Sequence, residues 1–422
     1  MDENVFLRAL DKELVVALGC TEPIAIALAA ATARKYSGDG EVLDLKVYAS
    51  SNVIKNAMAV NIPGTGSCGI NLAAALGALA DADKSLEVLS GLNKKDIDVA
   101  RDMIRGGVIS VDTANTSKKL YIEVVIKTDK STSRVIIEDR HTNVTVIEVN
   151  GVAVKDSRVE EVSEDSSDFT MLNIDNIWNF IETVNVDKLG LVKQSIELNK
   201  AAGEEGLRNP YGLQVGKTII EEIKKGIIAD DLMNYAMALT AAGSDARMAG
   251  CTLSVMSNSG SGNQGITATL PVVAVGEKLK ETEEKLLRAV TLSHLITIYI
   301  KSKFGRLSAL CGATIAATGA SCGVVYILGG NKSAVRAAIQ NMLGNITGML
   351  CDGAKIGCAL KVSTCTNAAI QSAFLANRGI AISATDGIIE EDAEDTIDNL
   401  CRLGNQGTPE IDKIILEIML NK

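Results

Sequence analysis

Along the first forty residues apolar side chains recur every three to four positions, a rhythm that predicts two helices, at 3–17 and 22–36, parted by Gly19-Cys20-Thr21. Thr21 suits an N-cap, and Pro23 falls in the first turn, where a missing N–H costs little. Over 41–49 the pattern changes to Val42, Leu43, Leu45, Val47, Ala49, the alternation of a strand. A short helix is expected after Ser50-Ser51-Asn52, then the turn Pro63-Gly64-Thr65-Gly66, whose glycines let backbone approach a ligand. Helices at 69–82 and 94–105 follow. The stretches 119–127, 133–140 and 143–149, rich in Val and Ile with polar residues between, read as three strands, and Asn150-Gly151 as a turn.

From Met171 onward strand signals nearly vanish. Helical periodicity returns at 178–189, 190–202, 213–225, 230–242, 277–302, 332–343 and 390–403, with Gly/Ser-rich loops between and no solenoid repeat. The expected fold class is therefore α+β. Residues 1–170 form N-terminal helices and a small α+β layer ending in the acidic, Ser-rich stretch 156–168, and residues 171–422 form a large Ala/Gly-rich helical domain.

Composition sharpens this picture. Aromatics are only 3% against 37 glycines, so the core must pack through close backbone approach, which favours helices over a β-sandwich. A net charge of −10 without a basic run excludes a nucleic-acid partner. The uncharged stretch 307–330 is long enough to cross a bilayer, but its Ala, Gly, Ser, Thr and Cys content and missing aromatic belt point to a buried helix pair around 319–321 and no membrane partner. Nine scattered cysteines, with no secretory pattern at Met1-Asp2-Glu3-Asn4, imply reduced thiols and a cytoplasmic setting.

Candidate chemistry lies in the cysteines. Cys351, Cys358 and Cys365 stand seven residues apart, and on one continuous helix they would share a face as small buried residues of a core stripe. Seven helical residues span about 10 Å, long for two ligands of one compact cluster. Gly353 and Gly357 permit a bend between Cys351 and Cys358, whereas nothing comparable separates Cys358 from Cys365, which leaves Cys365 a bystander. Cys311, Cys351 and Cys358 lie in segments almost free of other polar ligands, and three thiolates converging in an apolar pocket can hold an iron–sulfur cluster with one iron open. Core stripe and cluster both remain open on this evidence. Zinc fits less well, because its structural sites use closely paired cysteines. Cys20, where a helix begins, is a candidate active thiol that the helix N-terminus can keep as thiolate.

The loop Ser257-Asn258-Ser259-Gly260-Ser261-Gly262-Asn263-Gln264-Gly265 contains Gly-x-Gly-x-x-Gly, yet this half of the chain lacks the strands of a nucleotide fold. What remains is a donor-rich nest for a carboxylate, to which Arg247 adds a guanidinium unless it pairs with Asp245 or another acid. Of two histidines, His294 on an apolar helix reads as a hydrogen-bonded core residue. His141 lies in a turn, either solvated or closing a site across the domain boundary.

Together these residues resemble the L-cysteine desulfidase family, relatives of the catalytic part of iron–sulfur L-serine dehydratases. The segments that carry the resemblance are Ala17-Leu18-Gly19-Cys20-Thr21-Glu22-Pro23, Ile62-Pro63-Gly64-Thr65-Gly66, 256–265, Gly305-Arg306-Leu307-Ser308-Ala309-Leu310-Cys311-Gly312, and Cys351-Asp352-Gly353-Ala354-Lys355 with Cys358-Ala359-Leu360-Lys361. The resemblance implies an oxygen-sensitive 4Fe–4S cluster held by Cys311, Cys351 and Cys358, an active cysteine at Cys20, and conversion of L-cysteine to pyruvate, ammonia and sulfide without pyridoxal phosphate. The spacing of the last two ligands departs from the dehydratases proper, and a terminal cysteine tail is missing, which favours the desulfidase branch.

On this reading an amino-acid substrate rests its carboxylate on Asn258, Ser259, Gly260 and Ser261, with Arg247, Thr65 and His141 as further contacts and Cys20 as base. The open iron takes the leaving group. Serine dehydration is the alternative within the same chemistry, and a non-catalytic cluster sensor or electron carrier the alternative outside it. A homo-oligomer is compatible with the sequence.

Overall fold

The structure is a computed structural model that describes residues 3–158, 169–304 and 309–421. Most of the expected boundary stretch 156–168, and Gly305, Arg306, Leu307 and Ser308 of the resemblance, lie outside the described residues.

Eight strands are described: β1 (Val16–Leu18), β2 (Val42–Ala49), β3 (Ile109–Thr113), β4 (Tyr121–Thr128), β5 (Thr132–Glu138), β6 (Val144–Val149), β7 (Val152–Asp156) and β8 (Ser254–Met256). Six of them form a sheet of order β3-β2-β4-β5-β6-β7, antiparallel except for the β2/β3 pair. Alternation puts Leu45, Val47, Ile122, Val124, Ile126, Val135 and Ile137 on one buried face, covered by helix Thr21–Ser37. The other face carries Arg134 between Glu123 at 2.7 Å and Glu148 at 3.0 Å. Asn150 and Gly151, at φ 51° and 78°, make the β6/β7 turn as expected.

The edge strands β3 and β7 were not legible in the sequence. All five residues of β7 are exposed, and such a strand has no apolar face to announce it. The first helix ends at Glu13 instead of reaching 17, because Val16–Leu18 pairs antiparallel with β8 far along the chain. A local pattern cannot show that ladder.

After Met171 the described chain is helical apart from β8. Helices Gly262–Leu279, Glu283–Phe304, Gly312–Ile327, Lys332–Ile346 and Cys358–Ala376 pack around a core of small and branched side chains. Close approach is the rule: a Cβ on Gly77 would fall 2.3 Å from the Ala27 carbonyl oxygen, and one on Gly206 2.0 Å from that of Ala242. The span expected as one helix at 277–302 is two, broken where Lys280 turns left-handed at φ 58°. Conversely, the helix pair expected around 319–321 is one unbroken helix, Gly312–Ile327, in which Gly319 seats against the Ser293 carbonyl. Among the described residues no helix is long and apolar enough to cross a membrane.

Candidate active site

The β1/β8 ladder joins two loops that the sequence keeps far apart. Val16 faces Met256 and Leu18 faces Ser254, so the chain leaves β1 toward Cys20 while Asn258 follows β8. Gly19 turns at φ 74°, and a Cβ there would lie 2.5 Å from Pro63 Cγ, so the 63–66 turn buttresses this corner. Cys20 then caps helix Thr21–Ser37 in an extended conformation. On the β8 side Asn258 and Ser261 exchange backbone hydrogen bonds at 3.1 and 3.0 Å around Ser259 and Gly260, both at positive φ. Ser261 caps helix Gly262–Leu279, and Thr21 Oγ1 donates to the Gly260 carbonyl at 2.9 Å, tying the loops together.

Opposite stand three thiols. Leu310 and Leu350 form an antiparallel bridge, with Cys311 N–H donating to Met349 at 2.9 Å and Cys351 N–H to Ala309 at 2.7 Å. Cys311 and Cys351 each follow the bridged pair, so both project from the same face, as diagonal neighbours with Cα atoms ~7–8 Å apart. Between Cys351 and Cys358 the chain is not helical. Gly353 bends it at φ 90° over the Lys55 carbonyl, while Gly357 keeps an ordinary right-handed conformation. Cys358 opens helix Cys358–Ala376, and Cys365 lies buried on that helix with its thiol 3.6 Å from Met349 Sδ.

Cys20, Cys311, Cys351 and Cys358 line one cavity of about 110 Å³, several times the volume that seats a water. Four helix starts face it, those led by Cys20, Ser261, Cys311 and Cys358, and three of them have no side-chain cap. Uncapped first-turn amides and the positive ends of four helices make this a place for negative charge.

Burial pushes the Cys311 thiol up to about 12, with Cys351 and Cys358 adding to the rise, and burial also raises Cys358. Neighbouring buried thiols resist ionising together until a cation compensates them. As a soft donor set on three separate backbone segments they fit an iron–sulfur cluster. Among the described residues no three His, Cys, Asp or Glu side chains converge on a single-ion position.

Cys20 meets the opposite environment. Its Sγ–H donates to Glu22 Oε2 at 3.2 Å, and Thr21 Oγ1 stands 3.1 Å from the same oxygen. Asn56 Nδ2 donates to Glu22 Oε1 at 3.0 Å, and His141 Nε2 stands 3.8 Å from that oxygen, behind the cavity wall. Burial, then the Glu22 charge, push Cys20 well above the ordinary thiol range, although Arg247 acts the other way. Burial would raise Glu22, but His141 and the Cys20 thiol outweigh it and hold the carboxyl down at about 2. Cys20 therefore rests as a thiol rather than the thiolate expected of a helix N-terminus. The nearest charge and desolvation overcome the dipole.

Arg247, buried, donates through Nε to the Gly19 carbonyl at 3.0 Å and through Nη1 to Asn263 Oδ1 at 3.1 Å. A Cβ on Gly262 would lie 2.2 Å from Nε, so only glycine admits the guanidinium here. Among the described residues it has no carboxylate partner. Asp245 turns away to accept from the Gly216 amide at 3.2 Å at the start of helix Val215–Lys224. A buried guanidinium facing a cavity is able to pair with a carboxylate.

Of the other sequence candidates, Gly260 and Ser261 line the cavity, whereas Asn258 and Ser259 lie behind them. Asn258 donates to His294 Nδ1 at 3.0 Å, and Ser259 Oγ to Asn258 Oδ1 at 2.8 Å, so both brace the turn. His294 is a hydrogen-bonded core histidine, held by burial at a pKa of about 3 beside Ser195 and Thr269. Thr65 lies outside the lining, its hydroxyl on the Ile62 and Ser67 carbonyls. Glu22, Asn56 and Gln264 were not singled out from the sequence, yet all three line the cavity. Glu22, an acid in the first turn two residues after a candidate active thiol, was the available signal.

A family model described as "Serine dehydratase alpha chain" matches residues 83–417, which takes in Arg247, the 258–261 turn and the three thiols but not Cys20 or Glu22. Full-length relatives include a "UPF0597 protein" of Clostridium perfringens (strain SM101 / Type A), 46% identical over 422 residues and covering 99% of this chain and 98% of the relative. Another of the same name from Oleidesulfovibrio alaskensis is 45% identical over 420 residues, with 99% and 98% covered, and one from Shewanella pealeana 44% over 426 residues, with the same coverage. With a match over most of its length, this chain belongs to the serine dehydratase alpha chain family, related to the iron–sulfur serine dehydratases.

Proposed function

We propose that the chain is a carbon–sulfur lyase, an L-cysteine desulfidase that works without pyridoxal phosphate, and that Cys311, Cys351 and Cys358 hold a 4Fe–4S cluster. The observation that carries this reading is one cavity in which Cys20 faces three further thiols beside the buried Arg247. When bound, the cluster supplies an open iron, a Lewis acid for the leaving group that favours sulfur over oxygen. The substrate carboxylate lies on Arg247 and the helix-start amides around Ser261, which orients Cα–H toward Cys20.

Cys20 and Glu22 share one proton, because burial forbids charge on both. At rest the proton is on sulfur. Its transfer to Glu22 is uphill, because that carboxyl is held at about 2, and the thiolate it transiently leaves is for the same reason a strong base that takes the Cα proton. The Cα=Cβ bond forms, the Cβ–S bond breaks, and sulfide leaves with the bonding pair and takes up the proton held on Glu22, which restores the resting pair. The resulting 2-aminoacrylate reacts with one water to give pyruvate and ammonia. Nine free cysteines suit a reducing, cytoplasmic setting.

Anaerobically purified protein given L-cysteine or L-serine tests this reading, with pyruvate and sulfide both measured. Pyruvate and sulfide in equal amounts from cysteine are expected. Turnover of serine without sulfide from cysteine overturns the assignment in favour of serine dehydration, the second reading, which the family description supports.

A further inference from the structure

Two cavity-lining amides carry acceptors that no described residue uses. Gln264 is 2% exposed and Asn56 8%, and neither Gln264 Oε1 nor Asn56 Oδ1 has a hydrogen-bond partner among the described residues. Their nitrogens are committed. Gln264 Nε2 donates to the Asn258 carbonyl at 3.0 Å, and Asn56 Nδ2 to Glu22 Oε1 at 3.0 Å. Both partners accept only, so neither amide can flip without setting oxygen against oxygen. The network therefore fixes both oxygens as acceptors.

A buried acceptor left unpaired is costly, and two in one cavity call for a donor. Gln264 belongs to the first turn of helix Gly262–Leu279, and a Cβ on Gly312 would fall 2.7 Å from its Oε1, so this oxygen sits where the Ser261 and Cys311 helix starts meet. Asn56 reaches the cavity from helix Ser51–Ala57, next to Glu22. Arg247 and the amides thus supply donors to the cavity, which Lys301 also lines, and Asn56, Gln264 and Glu22 supply acceptors. A primary ammonium carries three N–H donors and a positive charge, which match two amide oxygens and a carboxylate.

We infer that Asn56 Oδ1 and Gln264 Oε1, with the Glu22 carboxylate, form the subsite for the substrate's α-ammonium group and select α-amino acids over des-amino acids. This rests on the lyase reading for its substrate class, but its test needs no turnover. The probes are L-alanine, which has both charged groups and no leaving group, and propionate, which lacks only the amine. Calorimetric titration of the anaerobically purified protein should show L-alanine binding at least about a hundredfold tighter than propionate, since a site built around a substrate N–H rejects analogues lacking it. Equal affinities overturn the inference, whatever the enzyme does with cysteine. Gln264→Met and Asn56→Leu should each lower that preference about tenfold or more, through weaker alanine binding with propionate unchanged. A parallel loss of both ligands marks a merely structural role and also overturns it. If wild type prefers alanine yet turns over neither cysteine nor serine, the subsite stands and the lyase reading falls.

Discussion

Cys311 and Cys20 occupy the same local position, the N-cap of a buried helix, and line one cavity. Burial raises both. Beside Cys311 the other charges are thiols like itself, with Lys361 pulling its pKa down, whereas Cys20 donates to a carboxylate that pushes its pKa further up. The contrast teaches that a helix N-terminus does not decide a thiol's state when an ionised side chain stands closer. On the proposed function it also separates two tasks: Cys311 and its neighbours give up their protons together to a soft metal cluster, and Cys20 holds a single proton that it hands over and takes back.

The most severe break is at the thiol wall. Cys311→Ala should abolish bound iron, acid-labile sulfide and pyruvate release together, whereas Cys20→Ala should abolish pyruvate release and leave iron content and the visible spectrum unchanged. Loss of iron in the Cys20 variant would erase the distinction.

Glu22→Gln comes next. Removing the charge beside Cys20 should bring its thiol down toward the ordinary range, and losing the proton acceptor should lower kcat by about 10²-fold or more. The pH profile of kcat in the two proteins checks this. An unchanged profile would mean that Glu22 does not share the Cys20 proton.

A smaller effect concerns stability. Glu22 is depressed from 4.5 to about 2 in the folded protein, so its contribution is present above about pH 4.5 and is lost as pH falls through about 2. Denaturant midpoints measured across that window should fall less steeply for Glu22→Gln than for wild type. The smallest change is expected from Lys361→Met. It removes the cation that favours ionised thiols at Cys311 and should slow cluster reconstitution a few-fold without altering the Cys20 side.

How much of the site could be read in advance differs by wall. The 351–365 spacing and the two glycines were enough to suggest a bend before Cys358, and Gly353 makes it. That Cys365 stays on the helix also followed from local reasoning. Glu22 was harder to see, because a first-turn acid usually serves only its own helix, and here it collects Cys20, Asn56 and His141 from three parts of the chain. The strands that escaped notice, β1, β3, β7 and β8, are short or exposed and owe their existence to partners rather than to periodicity.

Local pattern and composition by themselves determined the α+β class, the Ala/Gly manner of packing, that Cys20 stands where a helix begins, and which loop is rich in donors. Those properties depend on neighbours a few residues apart. Tertiary structure alone decided that four helix starts share one cavity, that Asp245 turns away from Arg247, and that Cys20 keeps its proton. Each of these turns on the distance between charges or dipoles from remote segments, and in a buried site that distance sets the energy.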